Sequence, residues 1–159
     1  MCGIYLIKDT ANTKLVNFMG NILMHRGPDD YGTYYNSSVS LGHRRLSIID
    51  VEGGRQPIFN EGNDKCIICN GEIYNYKSLR NELASSHKFS TRSDTEVLLH
   101  LYEQFGPAML NKLNGMFALI ICDNGEIFAA RDRLGIKPLY YAKFKGKDIE
   151  ICIILHTYL

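Results

Sequence analysis

No segment of this chain is apolar for long enough to cross a membrane or to form the core of a secretory signal. The longest apolar stretch at the front runs only from Cys2 to Ile7. Glycine stands third rather than second, which excludes N-myristoylation. The chain has no block of Lys or Arg and no interleaving of basic with aromatic residues, and its formal net charge is +1. It therefore offers no electrostatic case for nucleic acid. Repeats, low-complexity tracts and linker-like stretches are absent, and so is a glycine-rich phosphate loop, which leaves ATP use by this chain unsupported. The 159 residues suit one compact domain and are too few for two of ordinary size. The expectation is a single soluble, cytoplasmic domain that binds neither membrane nor nucleic acid.

Disulfides are also unsupported. The cysteines number five (Cys2, Cys66, Cys69, Cys122 and Cys152), odd in count and irregular in spacing. Cys66-Ile67-Ile68-Cys69 invites a redox or zinc reading, but no second Cys or His pair stands at ligand spacing. The segment reads as a strand, in which residues three apart face opposite ways. Buried core cysteines are the expectation, and no metal site is predicted.

The apolar pattern divides the chain into short strands and a few helices. Cys2 to Ile7 reads as a strand, and Leu15, Val16, Met19, Ile22 and Leu23 recur at helical spacing before Gly27-Pro28 stops the helix. Strands are expected at Gly32 to Tyr35, Val39 to Ile49 and Lys65 to Asn70. A helix capped by Asn75 should run to about Ser85. Another starts at Ser93-Asp94-Thr95-Glu96, a capping-box pattern. A short helix follows Gly106-Pro107, and a hairpin joins Met116–Asp123 to Ile127–Arg131 through Asp123-Asn124-Gly125. Strand signals return at Leu139 to Phe144 and Ile149 to Leu155. Strands linked by tight turns pair antiparallel, so the pattern predicts two packed antiparallel sheets with helices outside.

Cys2 carries the first chemical signal. If Met1 is removed, Cys2 holds a free α-amine beside its own thiol. An α-amine titrates at roughly 7.7–8.0 against about 10.4 for Lys, so part of it is neutral near pH 7 and can take the thiol proton. The resulting thiolate can attack an amide carbon. Three further groups are then needed. Asn70-Gly71 reads either as a hairpin turn or as a side-chain amide and a backbone N–H that stabilise an oxyanion. Alternation in Gly42-His43-Arg44-Arg45-Leu46-Ser47-Ile48-Ile49 places His43, Arg45 and Ser47 on one face and Leu46 and Ile48 on the other. Arg45 is thus a candidate clamp for a carboxylate, or a surface ion-pair partner, whereas Arg44 reads as solvated or as a partner contact. Asp94 reads as a helix cap or as the anion that receives an ammonium group. His25-Arg26-Gly27-Pro28-Asp29 is a helix end that could form a site loop.

Cys2-Gly3-Ile4, HRGPD at 25–29, GHRRLSIID at 42–50, Asn70 with the NGEIYNY segment, SDTEV at 93–97 and RDRLGIKPLYY at 131–141 together resemble the class II glutamine amidotransferases, which are N-terminal-nucleophile hydrolases. Within them the blocks look most like the glutaminase domain of glutamine-hydrolysing asparagine synthetase. The resemblance implies an α+β fold, a four-layer αββα sandwich of two antiparallel sheets. It implies Cys2 as nucleophile, Asn70 and Gly71 as the oxyanion hole, Arg45 for the glutamine carboxylate and Asp94 for its ammonium. The backbone of the 45–49 segment (Leu46, Ser47, Ile48 and Ile49 beside Arg45) and Glu72 would complete the pocket. The implied reaction is hydrolysis of glutamine to glutamate and ammonia, within the synthesis of asparagine from aspartate, ATP and glutamine. ATP and Mg would enter only through a synthetase domain or chain that receives the ammonia, and a homo-oligomer is possible.

Two departures accompany the resemblance. Tyr5-Leu6 stand where a small residue usually follows Cys-Gly-Ile, which should tighten packing beside the nucleophile. The synthetase domain is absent, so residues 1–159 read as one apparently truncated glutaminase domain. The competing reading is a non-catalytic or regulatory module that keeps the fold.

Overall fold

The computed structural model describes residues 1–8, 11–48, 50, 52–143 and 150–153. Two antiparallel sheets form its centre. The first has the order β2-β3-β1-β9-β8, built from β1 (Gly3–Lys8), β2 (Asp30–Tyr35), β3 (Val39–Arg45), β8 (Tyr140–Lys143) and β9 (Glu150–Ile153). The second has the order β4-β5-β6-β7, from β4 (Ile58–Phe59), β5 (Lys65–Ile73), β6 (Gly115–Asp123) and β7 (Glu126–Arg131). Helices α1 (Thr13–Ile22), α2 (Tyr76–Leu83) and α3 (Asp94–Phe105) complete the architecture. Among the described residues no helix is long and apolar enough to cross a membrane.

The period-two alternation of strands explains the layering. In β1, Ile4 and Leu6 point between the sheets, where they meet Val39 and Leu41 of β3 and Cys66, Ile68, Ala118 and Ile120 of the second sheet. Tyr5 and Ile7 point the other way, onto Val16 and Met19 of α1. In β5, Ile67 and Cys69 turn outward against Val97, Leu98 and Leu101 of α3. The layers are therefore α1, first sheet, second sheet, then α2 with α3: the expected αββα sandwich. Cys66 and Cys69 lie in different layers, so their thiols diverge as the strand reading required.

Several local expectations change. The strand expected over Val39 to Ile49 ends at Arg45, where the chain leaves the sheet; alternation beyond that residue does not apply, and Ile48 is 64% exposed. The strand expected to stop at Asn70 continues to Ile73, so Asn70-Gly71 is not a hairpin turn. Asn124-Gly125 is the turn of the β6–β7 hairpin, with both residues at positive φ (48° and 91°). The two-residue β4 carried no sequence signal. Asn75 stands at the start of α2 without capping it, because its side chain bridges Lys112 O and Asn114 N. Ser93 caps α3 through Thr95 N, but Glu96 does not return the bond and the capping box is half made. Arg44, expected to be solvated or a partner contact, donates from Nε to Gly20 O at 2.8 Å near the end of α1 and stacks its guanidinium over Tyr31. Phe144, Ile149, Ile154 and Leu155 of the expected last strands lie outside the described residues.

Tyr5 is absorbed by glycine. A Cβ at Gly42 would come within 2.4 Å of the Tyr5 ring, and one at Gly20 within 2.5 Å of its hydroxyl. The ring thus lies on the α1 side of the sheet, opposite the face that Ile4 presents. Burial pushes the Tyr5 phenol up to about 12.

Candidate active site

The end of the sandwich near the start of β1 encloses a cavity of about 190 Å³. That is below the range of drug-sized pockets and suits a small metabolite. Cys2, Arg45, Leu46, Ile48, Asn70, Gly71, Glu72 and Asp94 all line it. Four elements deliver most of these residues: Cys2 precedes β1, Arg45 ends β3, Asn70 to Glu72 lie in β5, and Asp94 opens α3. Two expected members differ. Ser47 does not line the cavity; its backbone N–H donates to Asp29 Oδ2 at 2.8 Å, tying the segment to the 25–29 loop. Ile49 lies outside the described residues.

Cys2 is half-buried, and its sulfur is held by the segment that follows β3. The thiol donates to Leu46 O at 3.7 Å and accepts from Leu46 N–H at 3.4 Å. Burial pushes the thiol up from its ordinary value, against the pull of the Leu46 N–H, the chain's amino terminus, Arg45 and Arg26. A thiol in this setting stays protonated at neutral pH unless a base takes its proton. Arg26, from the HRGPD block, donates from Nε to Cys2 O at 3.1 Å and fixes the backbone at Cys2.

Asn70 supplies a donor in waiting. It is 2% exposed, and its Nδ2 is buried with no hydrogen-bond partner among the described residues. A buried orphan amide costs roughly 1–3 kcal/mol unless a ligand satisfies it. Gly71 is constrained by close approach: a Cβ there would stand 2.3 Å from Met116 O and 2.6 Å from Phe117 Cα. The neighbouring strand β6 admits only glycine at this point.

Asp94 is 6% exposed, and its Oδ2 accepts from Ile73 N–H at 2.9 Å, linking α3 to the end of β5. Burial raises its carboxyl above the usual value, with Glu72 adding like charge, while backbone N–H bonds pull the other way. Arg45 is buried at the same cavity, and its guanidinium donates to Asp50 O at 2.6 Å. One cavity therefore holds a thiol, an orphan amide donor, a guanidinium and two carboxylates. Such a set matches a zwitterionic amino acid with a side-chain carbonyl.

The sequence reading missed part of the wall, including Met1, Gln56, Cys69, Met116 and Lys137. Gln56 is the clearest case. Its Oε1 accepts from Cys69 N–H at 2.6 Å and its Nε2 donates to Thr95 Oγ1 at 3.3 Å, pinning β5 to α3. The RDRLGIKPLYY block is organised by Asp132, which accepts N–H bonds from Phe117, Leu134, Ile136 and Lys137. That loop brings Lys137 Nζ to Met1 Sδ at 3.4 Å, at the cavity wall. His43, behind the cavity, is fully buried and bonded to Cys69 O, and burial lowers it to about 3, so it is a neutral imidazole.

Residues 1–153 match the family model described as glutamine amidotransferase domain. Asparagine synthetase [glutamine-hydrolyzing] 1 of Bacillus subtilis is 45% identical over 151 residues, which is 89% of this chain and 24% of that protein. Asparagine synthetase [glutamine-hydrolyzing] 3 of the same organism is 47% identical over 153 residues, covering 90% and 25%. Asparagine synthetase B [glutamine-hydrolyzing] of Escherichia coli is 40% identical over 147 residues, covering 88% and 26%. The chain spans about a quarter of the length of these curated relatives. Among solved structures, the glutamine phosphoribosylpyrophosphate amidotransferase of B. subtilis superposes with a TM-score of 0.77 at 21% identity, over 96% of this chain and 41% of that one. An allosteric regulatory enzyme of purine biosynthesis gives 0.80 at 23% identity, over 96% and 42%. These two likenesses concern the fold alone, the sandwich of two antiparallel sheets. The chain belongs to the glutamine amidotransferase domain family and is homologous to the glutaminase part of the glutamine-hydrolysing asparagine synthetases.

Proposed function

We propose that this domain hydrolyses glutamine to glutamate and ammonia through a thioester on Cys2, as the glutaminase part of an asparagine synthetase. The observation that carries the reading is the orphan Asn70 Nδ2, buried in the cavity that Cys2 lines between Arg45 and Asp94. Met1 lines the same cavity and would be removed, which leaves the α-amine on Cys2 itself. That amine takes the thiol proton, a necessary step because burial raises the thiol.

Sγ then attacks the side-chain amide carbon, and the C=O electron pair moves onto oxygen. Asn70 Nδ2 and the Gly71 N–H receive the oxyanion. Collapse expels the nitrogen, which leaves as ammonia with the proton carried by the α-ammonium. Water attacks the thioester, releases glutamate and restores the thiol. Arg45 holds the α-carboxylate of glutamine as a guanidinium clamp, and Asp94 with Glu72 receives the α-ammonium. Leu46, Ile48 and the backbone beside them close the pocket. The aspartate- and ATP-dependent half of asparagine formation, with its Mg, belongs to a synthetase domain or chain that receives the ammonia.

The test is turnover of glutamine by the chain with and without aspartate and ATP, with glutamate and asparagine measured separately. Glutamate release by the parent and none by Cys2→Ala, with unchanged circular dichroism, is expected. Persistent glutamate release by Cys2→Ala overturns the assignment.

A further inference from the structure

Away from the Cys2 cavity, four side chains from three parts of the fold converge. Glu61 lies in the loop after β4, His87 follows α2, and His100 and Glu103 stand one turn apart on α3. One ligand atom from each lies within 4.8 Å of all the others. His87 Nδ1 is 3.8 Å from Glu61 Oε1 and 3.7 Å from Glu103 Oε2. His100 Nδ1 is 3.8 Å from Glu61 Oε2 and 2.9 Å from Glu103 Oε2.

The corners of a tetrahedron with metal–ligand bonds of about 2.0–2.1 Å lie about 3.3 Å apart. The two imidazole Nδ1 atoms stand 3.7 and 2.9 Å from the single oxygen Glu103 Oε2, on either side of that value. We propose that Glu61, His87, His100 and Glu103 form a binding site for one divalent transition-metal ion of the zinc class.

The setting of His100 supports this. Its ring is 1% exposed, and Nε2 has no hydrogen-bond partner among the described residues. Nδ1 points into the cluster, 2.9 Å from Glu103 Oε2, while Nε2 faces the Glu96 carboxylate, 3.8 Å from Oε1. A carboxylate behind the ring is a usual outer partner of a metal-bound histidine. The other ligands are also held from behind. Asn60 Nδ2 donates to Glu103 Oε1 at 2.7 Å, and Lys88 N–H donates to Glu61 Oε1 at 2.7 Å.

Both imidazoles aim Nδ1 at the same two carboxylates while their rings stack 4.5 Å apart, so one divalent ion serves both nitrogens. Two imidazoles among the four ligands favour zinc-like ions over calcium or magnesium, which select oxygen. Bound there, the ion ties the β4 loop and the end of α2 to α3, the helix that presents Asp94.

The experiment is titration of the EDTA-treated full chain with zinc chloride by calorimetry, with cobalt(II) as a spectroscopic stand-in. Expected are one ion per chain, a rise in Tm, and tetrahedral cobalt d–d bands without a thiolate charge-transfer band. Glu61→Gln, an exposed substitution that leaves the fold intact, and His87→Ala should each abolish stoichiometric binding and the rise in Tm. Metal-free Glu61→Gln should keep the glutamate release of the metal-free parent. Absence of stoichiometric binding by the parent, binding kept by both variants, or a thiolate band in the cobalt spectrum overturns the proposal.

Discussion

Replacement of Glu96 by Gln tests how the chain holds Asp94 in place. Glu96 lies in the first turn of α3 and is 1% exposed. Each carboxylate oxygen accepts two bonds at 2.7 Å: Oε1 from the N–H and hydroxyl of Ser90, and Oε2 from those of Thr91. Burial alone would raise this carboxyl, but His100 and the four donors outweigh it and hold it at about 2, against an ordinary 4.5. At about 1.36 kcal/mol per pH unit, the fall from 4.5 to about 2 contributes about 3 kcal/mol to folding. Because the folded value is depressed, the contribution is complete above the unfolded value and is lost as pH falls through 4.5 towards 2.

Gln presents one oxygen and turns its NH2 onto two donors, so Glu96→Gln should cost about 3 kcal/mol at pH 7. The Tm should fall by about 6–12 °C for a chain of this size. By pH 3 roughly half of the difference should be gone. Urea unfolding of both proteins at pH 7 and pH 3 measures it. The Ser90–Thr91 strap leads directly into Asp94, so the variant should also show a raised KM for glutamine. A cost below about 1 kcal/mol at pH 7, or one that does not change with pH, refutes the reasoning.

Other outcomes follow from the cavity. Asn70→Ala should lower kcat by roughly 100- to 1,000-fold with little change in KM, because the amide acts on the oxyanion and not on the ground state; steady-state kinetics decides it. Arg45→Ala and Asp94→Asn should each raise KM, and weak binding of glutamate should fall in parallel by calorimetry. Since burial and Glu72 raise Asp94, KM should start to climb on acidification before an ordinary aspartate would titrate, and Asp94→Asn should flatten that profile. Gly71→Ala should cost both stability and activity, because a methyl 2.3 Å from Met116 O forces β5 and β6 apart; thermal unfolding with glutaminase assay checks both.

The reach of the sequence was uneven, and the reasons are physical. Layering was legible because strand alternation is local: Ile4 and Leu6 face one way, Tyr5 and Ile7 the other, whatever their eventual partners. The cavity residues of known chemical type were legible because a thiol, a guanidinium and a carboxylate each announce a task. Asn70-Gly71 was ambiguous, since the same dipeptide makes a hairpin turn or a strand that approaches its neighbour closely. Only the pairing of Gly71 with Phe117 separates the two. Gln56 and Lys137 were illegible because their roles depend on partners far along the chain: Cys69 and Thr95 for one, Met1 for the other. Ser47 was misassigned because the strand ends at Arg45, and nothing in the run GHRRLSIID marks that end. The Glu61–His87–His100–Glu103 cluster draws on three elements, and only the one-turn spacing of His100 and Glu103 is visible in sequence.

The proposed glutaminase chemistry depends first on Cys2 as a processed, reactive nucleophile. Mass measurement of the intact chain before and after treatment with a glutamine-mimicking electrophile tests it most directly. The predicted result is a chain without Met1 that gains one adduct, mapped to Cys2 and blocked by excess glutamine. A chain that loses Met1 yet gains no adduct at Cys2 contradicts the account.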